Sequence, residues 1–290
     1  ALSSLRARPN RFIVAWLTSI PAWCFFDSIN FYLMDAWRYH GLPPNFGQRL
    51  IGYFVAFAAI SPGMFLAAHL YQNLGLRRIV TVNPLHARRI AWVLLLGPTC
   101  LIPLIVLLLV ANHDGHLSNP IAVIGSGLLL LGPPAAGVVR KQSLPAVSFA
   151  TGVGFVIWTF LITDPLSNLT LWVGLIFLLD PINAKLGAPS LLRDWQAGRW
   201  GRTLALFAGG ATCGLLWEFW NYWAIAKWTY DLPFLGWLDQ YRYFEMPWPG
   251  FVGFLPFAAE CWVMLNTIIA AMDRLSLRVA ESLPDSDSVL

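Results

Sequence analysis

The chain has 290 residues, of which 57% are apolar and only 12% charged, and its formal net charge is +4. Soluble domains usually carry about 25% charged residues, so this composition excludes a cytosolic enzyme, a disordered chain, a disulfide-stapled secreted domain and a nucleic-acid-binding protein. Long apolar runs recur from end to end. They predict an all-α fold, a polytopic transmembrane helix bundle that forms a single domain over residues 1–290.

Eight apolar segments approach the roughly 20 residues that a helix needs to cross the hydrocarbon core of a bilayer. We predict spans at residues 12–32, 48–71, 90–111, 119–139, 144–163, 168–183, 202–226 and 250–272. The residues after 281 are polar and acidic, and we expect the tail 282–290 to be frayed.

The basic residues indicate how the spans cross. If the N-terminus is cytoplasmic, all but four of the 19 Lys and Arg fall in inside segments, the exceptions being Arg38, Arg49, Lys227 and Arg242. This bias follows the positive-inside rule, so we predict a multi-pass inner-membrane protein with both termini in the cytoplasm. One inside segment, LLRDWQAGRWGR at 191–202, is interpreted as interfacial, with the indoles of Trp195 and Trp200 at headgroup depth.

The ends of spans 1 and 7 share a pattern: a carboxylate, two residues, Asn, six residues, Trp, one residue and Tyr. Its members are Asp27, Asn30, Trp37 and Tyr39 in the first copy, and Glu218, Asn221, Trp228 and Tyr230 in the second. The pattern predicts an internal duplication of 12–71 and 202–272 that keeps its orientation.

Two other interpretations of this pattern stay open. A shorter match pairs Asp27-Ser-Ile-Asn30 with Asp180-Pro-Ile-Asn183, and it would imply an inverted repeat of the kind that transporters use. Alternatively, helix ends at the membrane interface simply favour Asx and aromatic residues, and neither match reflects a duplication.

Ionisable side chains inside a bilayer are costly, so each one requires a partner or a function. Glu218 lies near the outer end of span 7, and Asn221 follows it on the same helix face. Glu260 lies in span 8, and counting inward from the connecting loop puts its depth within roughly 3 Å of that of Glu218. We therefore expect the two carboxyl groups to share one site, in which one of them holds a proton.

The segment from 217 to 262 contains seven of the 15 Trp, and the stretch FEMPWPGFVGFLPFAAE at 244–260 is too rich in Pro and Gly to be one continuous helix. Such backbone is tolerated where protein or a cavity satisfies it. We interpret the segment as an aromatic-walled pocket in the outer leaflet. The candidate catalytic residues are Glu218 and Glu260, and the candidate ligand-binding residues are Asp27, Asn30, Trp217, Asn221, Trp228, Tyr230 and Glu245. The competing interpretation is an ordinary aromatic belt with structural hydrogen bonds.

A protonated carboxyl in a dry aromatic cavity is a general acid, and aromatic faces stabilise carbocations. The pattern therefore favours a protein that binds a lipid-like or isoprenoid ligand, with proton-dependent chemistry as an extension. One alternative is an accessory subunit of a larger respiratory or photosynthetic complex, and a second is a small transporter. We predict no metal site, and no cofactor is indicated. The expected partners are membrane lipids or other membrane subunits, and not nucleic acid.

Three stretches, DPINAKLGAPSLLRDWQAGRWGR at 180–202, LLWEFWNYWAIAKWTYDLP at 215–233 and FEMPWPGFVGF at 244–254, resemble a family of bacterial polytopic membrane proteins with no assigned activity. The resemblance implies a membrane fold. The intramembrane carboxylates beside Pro and aromatic residues are also similar to those of the membrane-embedded carotenoid cyclases and hydratases. The Pro-x-Glu-Glu type of signature of those families is absent, so no residue role carries over.

Overall fold

The structure is a computed structural model, and it describes residues 9–81, 83–114, 143–163, 165, 167–232, 239–275 and 289. The predicted span at 119–139 and all of the tail 282–290 except residue 289 lie outside these residues.

Seven long helices correspond to the other predicted spans. They are α1 (Pro9–Ile29), α2 (Phe46–Asn73), α3 (Pro84–Asp114), α4 (Leu144–Leu161), α5 (Ser167–Leu186), α7 (Gly201–Trp223) and α8 (Phe254–Arg274). A short helix, α6 (Leu191–Gln196), connects α5 to α7. One π-helical turn (Asn30–Met34) continues α1, and short 3-10 segments follow α2 (Leu76–Arg78) and precede α8 (Trp248–Gly253).

Six helical segments are long and apolar enough to cross a membrane, which indicates a multi-pass membrane protein. They are Pro9–Met34, Phe46–Asn73, Leu85–Ile102, Leu144–Leu161, Ser167–Leu186 and Trp248–Arg274. The helix α7, predicted as the span 202–226, is not among the six. Its polar residues Arg202, Glu218 and Asn221 lower the mean hydropathy of a segment that is otherwise long enough.

The helices pack around α7 and α8 at the centre of the bundle. The helix α7 packs against α2 and α8, α5 packs against α8, and α4 packs against the far side of α5. The hydroxyl group of Ser19 in α1 joins this helix to α2 by entering the backbone hydrogen-bond ladder of α2. Ser19 Oγ accepts a hydrogen bond from the N–H of Ser61 at 3.1 Å and donates one to the carbonyl of Phe57 at 2.5 Å.

Short strands, which the apolar periodicity does not predict, close one end of the bundle. The strand β1 (Trp37–His40) pairs antiparallel with β2 (Lys227–Tyr230), and β3 (Arg242–Tyr243) forms a hairpin with β4 (Met246–Pro247). This end of the bundle is called the ribbon end below. The hairpin and the 3-10 segment before α8 confirm that 244–260 is not one continuous helix.

The opposite end, called the arginine end below, contains the end of α2, the helix α6 and the start of α7. Trp195 of α6 is buried there, and its Nε1 donates to Thr203 Oγ1 at 2.8 Å. The protein therefore encloses this indole, and its position at headgroup depth stays a prediction. Val289 is also buried, and its N–H donates to Gln72 Oε1 at 3.0 Å, so this residue of the tail is not frayed.

Candidate functional site

Glu218 is fully buried near the end of α7, and the side chains of β2 hold one of its carboxyl oxygens. Tyr230 Oη donates to Glu218 Oε1 at 2.6 Å, and Trp228 Nε1 donates to the same oxygen at 3.2 Å. One turn later, the Asn221 side chain accepts the N–H of Trp228 at 2.9 Å and donates to its carbonyl at 2.8 Å. These four residues form one hydrogen-bonded unit, which we call the Glu218 clasp.

The first copy of the pattern forms the same unit around Asp27. Trp37 Nε1 and Tyr39 Oη donate to Asp27 Oδ1 at 3.0 and 2.9 Å. The Asn30 side chain accepts the N–H groups of Ala36 and Trp37 at 2.8 and 3.1 Å and donates to the Trp37 carbonyl at 2.7 Å. This unit is called the Asp27 clasp.

The two clasps meet where β1 pairs with β2. Trp37 lies opposite Tyr230, and Tyr39 lies opposite Trp228, as they would around a local two-fold axis. The shorter sequence match behaves differently, because Asp180 accepts hydrogen bonds from a serine hydroxyl and from backbone N–H groups of α6. The two copies of the longer pattern therefore form equivalent hydrogen bonds, and the copies of the shorter match do not. The internal duplication of 12–71 and 202–272 stays a prediction.

The two clasp tyrosines are hydrogen-bond donors throughout the physiological range. Burial raises the pKa of the Tyr39 phenol, and the adjacent Asp27 carboxyl raises it further. Burial and the adjacent Glu218 carboxyl raise the pKa of the Tyr230 phenol in the same way. Both phenols therefore keep the proton that they donate to the carboxyl group.

Replacing either clasp asparagine with Ala should destabilise the protein by about 2 kcal/mol, because strand backbone groups then lose their partners. We expect Asn30→Ala and Asn221→Ala to have similar effects on unfolding in detergent–SDS mixed micelles, followed by Trp fluorescence. The matched control is Asn73→Ala, at the exposed end of α2, which should change little. An effect of only one of the two clasp variants would show that the clasps are not equivalent.

Two further predicted ligand-binding residues lie beside the Glu218 clasp and link it to its neighbours. Glu245, in the turn between β3 and β4, forms an ion pair with Lys227 of β2 at 2.6 Å. The Trp217 ring packs edge-to-face on Phe254 of α8, with ring centroids 6.1 Å apart. These contacts hold the hairpin against β2 and hold α8 against α7.

Glu260 lies in α8, apart from both clasps. Gly210 of α7 lies against Phe254 and Ala258 of α8. A Cβ added at Gly210 would lie 3.1 Å from the Cβ of Ala258, so these residues are at the same level of the two helices. Glu218 lies about 12 Å from Gly210 toward the ribbon end, at 1.5 Å per residue, and Glu260 lies beyond Ala258 in the opposite direction. The two carboxyl groups do not hydrogen-bond to each other. The expected shared site is therefore wrong, because counting from a loop does not determine the register of two helices.

Glu260 lies in the part of α8 that packs against α5. Phe257, one turn before it, packs on Trp172 of α5, with ring centroids 5.6 Å apart. Val263, one turn after it, accepts a hydrogen bond from Asn183 of α5 at 3.0 Å. Along α8, Glu260 therefore lies between these two contacts with α5.

A cluster of aromatic rings surrounds Phe257, one helical turn from Glu260. The ring centroids of Trp23, Phe26 and Trp172 lie 5.6, 5.8 and 5.6 Å from that of Phe257. This cluster takes most of its rings from α1 and α5. No local signal indicates this cluster, because its rings come from three helices that are far apart in the sequence. Rings within 217–262 also contact one another, as Tyr222 and Phe244 do with centroids 4.9 Å apart, and the pocket predicted there stays a prediction.

No family model, curated protein or solved structure matches this chain. Within the described ranges, no three His, Cys, Asp or Glu side chains gather as metal ligands.

Proposed function

We propose that this protein lies in a bacterial inner membrane and binds a lipid-like ligand of the isoprenoid or acyl type beside Glu260. The Glu260 carboxyl, in its neutral form, donates a hydrogen bond or a proton to a polar group of that ligand. The observation that carries the proposal is that Glu260 is fully buried and that neither of its oxygens has a hydrogen-bond partner among the described residues.

The other acidic side chains held within the described bundle all have partners. Hydrogen bonds or ion pairs engage Asp27, Asp180, Asp194 and Glu218. A buried carboxyl without a partner destabilises a fold by about 1–3 kcal/mol, so packing alone does not account for Glu260. Residues that break a local rule in this way are typical of functional sites in membrane proteins.

The surroundings of Glu260 indicate the class of ligand. The aromatic cluster around Phe257 offers flat apolar surfaces next to the carboxyl, and these suit a polyene, a ring or an acyl chain. Trp172 Nε1, in the same cluster, is also buried and has no acceptor among the residues that the structure describes. A polar group of the ligand placed between Trp172 and Glu260 would give both the indole N–H and the carboxyl group a hydrogen-bond partner.

Replacing Glu260 with Met, which has a similar volume, should stabilise the protein by about 1 kcal/mol, because it removes an unpartnered polar group. The same variant should lose the bound ligand. We would measure melting in detergent, and we would identify lipids that remain on the purified protein by native mass spectrometry. The matched control is Glu218→Met, equally buried, which should lower stability because Trp228 and Tyr230 lose their acceptor.

A destabilised Glu260→Met variant would contradict the proposal and make Glu260 a structural residue. A second measurement uses dicyclohexylcarbodiimide, an apolar reagent that modifies neutral carboxyl groups in membranes. We expect it to modify Glu260 in the wild type and to leave the ion-paired Asp194 unmodified in the same sample. Copurification of a stoichiometric set of other subunits without lipid would instead favour the accessory-subunit alternative.

A further inference from the structure

The chain between α2 and α3, residues 74–83, carries arginine and exposed apolar side chains at the arginine end. We propose that this segment and the first turns of α3 bind the headgroups of anionic phospholipids. This surface is called the basic surface below, and its exposed members are Leu74, Arg78, Val80, Leu85, Arg88 and Arg89. Arg77 is not one of them, because it lines a small cavity beside Asp194. The proposal is independent of Glu260 and of the ligand proposed beside it.

The basic surface is positively charged because this part of the sequence has no carboxylate. Between Asp35 and Asp114 the chain contains no Asp or Glu. The side chains of Arg78, Arg88 and Arg89 are exposed, and no carboxylate of the described residues pairs with them. Anionic headgroups would neutralise these charges, as they do at other basic clusters next to membrane helices.

Hydrogen bonds hold the segment after α2 against the loop between α6 and α7. The N–H of Thr81 donates to the Gly198 carbonyl at 2.7 Å, and the N–H of Trp200 donates to the Ile79 carbonyl at 3.1 Å. Trp200 Nε1 also donates to Thr81 Oγ1 at 2.8 Å. The φ of Gly198 is 72°, and a Cβ added there would overlap the Thr81 carbonyl oxygen, so this contact requires glycine. The exposed side chains of the segment therefore project from a backbone that the protein holds in place.

The start of α3 adds arginine and leucine side chains on the face that points away from the bundle. Ala87 and Ala91 are buried, and they mark the side of α3 that packs on the protein. Leu85 and Arg89 are four residues apart and lie on the opposite side of the helix. Leu85 is 70% exposed, and Arg88 is exposed as well. This face of α3 therefore continues the basic surface.

The exposed apolar side chains favour a lipid over a soluble phosphate compound. Leu74 and Val80, on either side of Arg78 in the sequence, are 72% and 55% exposed. Both α2 and α3 are among the segments that are long and apolar enough to cross a membrane, so the basic surface lies where two spans end. At such a position the apolar side chains enter the acyl region, and guanidinium groups contact the phosphates. A soluble phosphate compound would leave Leu74, Val80 and Leu85 uncovered.

The test uses the full-length protein in neutral detergent, with added dioleoylphosphatidylglycerol or dioleoylphosphatidylcholine. Native mass spectrometry counts the lipids that remain bound, and the wild type should retain phosphatidylglycerol in preference to phosphatidylcholine. An arginine near the headgroups strengthens binding of anionic lipid about fivefold, so Arg89→Gln should weaken phosphatidylglycerol binding about fivefold. The Arg88→Gln, Arg89→Gln double variant should weaken it about 25-fold. Binding of phosphatidylcholine should not change in either variant.

The matched control is Arg49→Gln, which removes the same charge near the start of α2, at the other end of that helix. It should leave phosphatidylglycerol binding unchanged. Because Arg88 and Arg89 are exposed, their variants should also melt at the wild-type temperature in detergent without added lipid. A lower melting temperature of Arg89→Gln under these conditions would make this arginine a structural residue and would overturn the proposal.

A preference for phosphatidylglycerol that Arg89→Gln reduces and Arg49→Gln does not would support the basic surface as an anionic-lipid site. Equal retention of the two lipids by the wild type would overturn the proposal, because the arginines would then serve only to orient the protein in the membrane. Equal losses in Arg89→Gln and Arg49→Gln would also overturn it, because net charge and not the basic surface would then control binding.

Discussion

Replacing Asp180 with Ala should destabilise the protein by about 4 kcal/mol, because three buried donors lose their acceptor together. Ser190 Oγ and the N–H groups of Leu191 and Leu192 donate to the Asp180 carboxylate at 2.8–2.9 Å. All of these residues are less than 3% exposed, so water does not replace the missing acceptor. The start of α6 should then unfold locally. The measurement is the free energy of unfolding in detergent–SDS mixed micelles.

Asp180→Asn is the control for this prediction. Leu191 and Leu192 donate to different carboxylate oxygens, so the single amide oxygen of Asn still accepts from one of these two N–H groups and loses the other. We expect this variant to retain part of the stability that the Ala variant loses. Because α6 supplies Asp194, the Ala variant should also disturb the ion pairs of Asp194 with Arg199 and Arg202. Equal stability of the Ala variant and the wild type would show that α6 does not depend on this cap.

Replacing Gly152 with Ala should destabilise the protein by about 3 kcal/mol and lower its folded yield, because the added methyl group would overpack the α4–α5 contact. A Cβ at this position would lie 2.3 Å from the backbone nitrogen of Leu178 and 2.7 Å from the carbonyl carbon of Phe177. These are backbone atoms, so only a separation of the two helices relieves the clash. The helix α5 also packs against the part of α8 that carries Glu260, so under the proposed function this variant should lose ligand as well as stability.

The matched control for this substitution is Gly63→Ala in the middle of α2, where an added Cβ meets no atom within 4 Å. Alanine favours a helix over glycine, so this variant should be as stable as the wild type or more stable by up to about 1 kcal/mol. Similar losses in both variants would mean that helix propensity and not packing controls the result. The measurement is the melting temperature of each variant and of the wild type in the same detergent.

The helices could be predicted closely because their signal is local. A run of about 20 apolar residues reports a membrane helix without reference to any other part of the chain. The predicted span 144–163 and the helix Leu144–Leu161 agree to within two residues at the end, and the predicted 168–183 lies within Ser167–Leu186. The strands β1 and β2 were not predictable in this way, because four-residue strands form only when they find each other across most of the chain.

The clasp residues show which features of a site a sequence pattern can predict. The spacing from Asp27 to Tyr39 and from Glu218 to Tyr230 correctly indicated residues that act together. It did not indicate that Trp and Tyr would donate to the carboxyl group, or that Asn would hold the strand backbone. A pattern shows which positions belong to a unit, whereas the partner of each atom depends on backbone geometry that folding creates.

Glu260 and Arg77 mark where prediction from the sequence stops. A carboxyl inside a bilayer is unusual, so Glu260 stands out in the sequence without any knowledge of its contacts. Its expected partner was wrong, since the hairpin and the 3-10 segment before α8 change where the helix starts. Arg77 was only one of many inside arginines until the structure placed it beside Asp194 and Arg199, which are more than a hundred residues later in the chain.

The pairing of β1 with β2 also sets an order of events during biosynthesis. His40 and Thr229, which contact each other across the ribbon at 2.8 Å, are 189 residues apart, so a ribosome adding about 5–20 residues per second needs about 10–40 s between them. During that interval Asn30 is able to hold the chain at Trp37 through local hydrogen bonds alone. We therefore expect the first half of the ribbon to take its shape before its partner leaves the ribosome, which would protect its unpaired strand edge from aggregation.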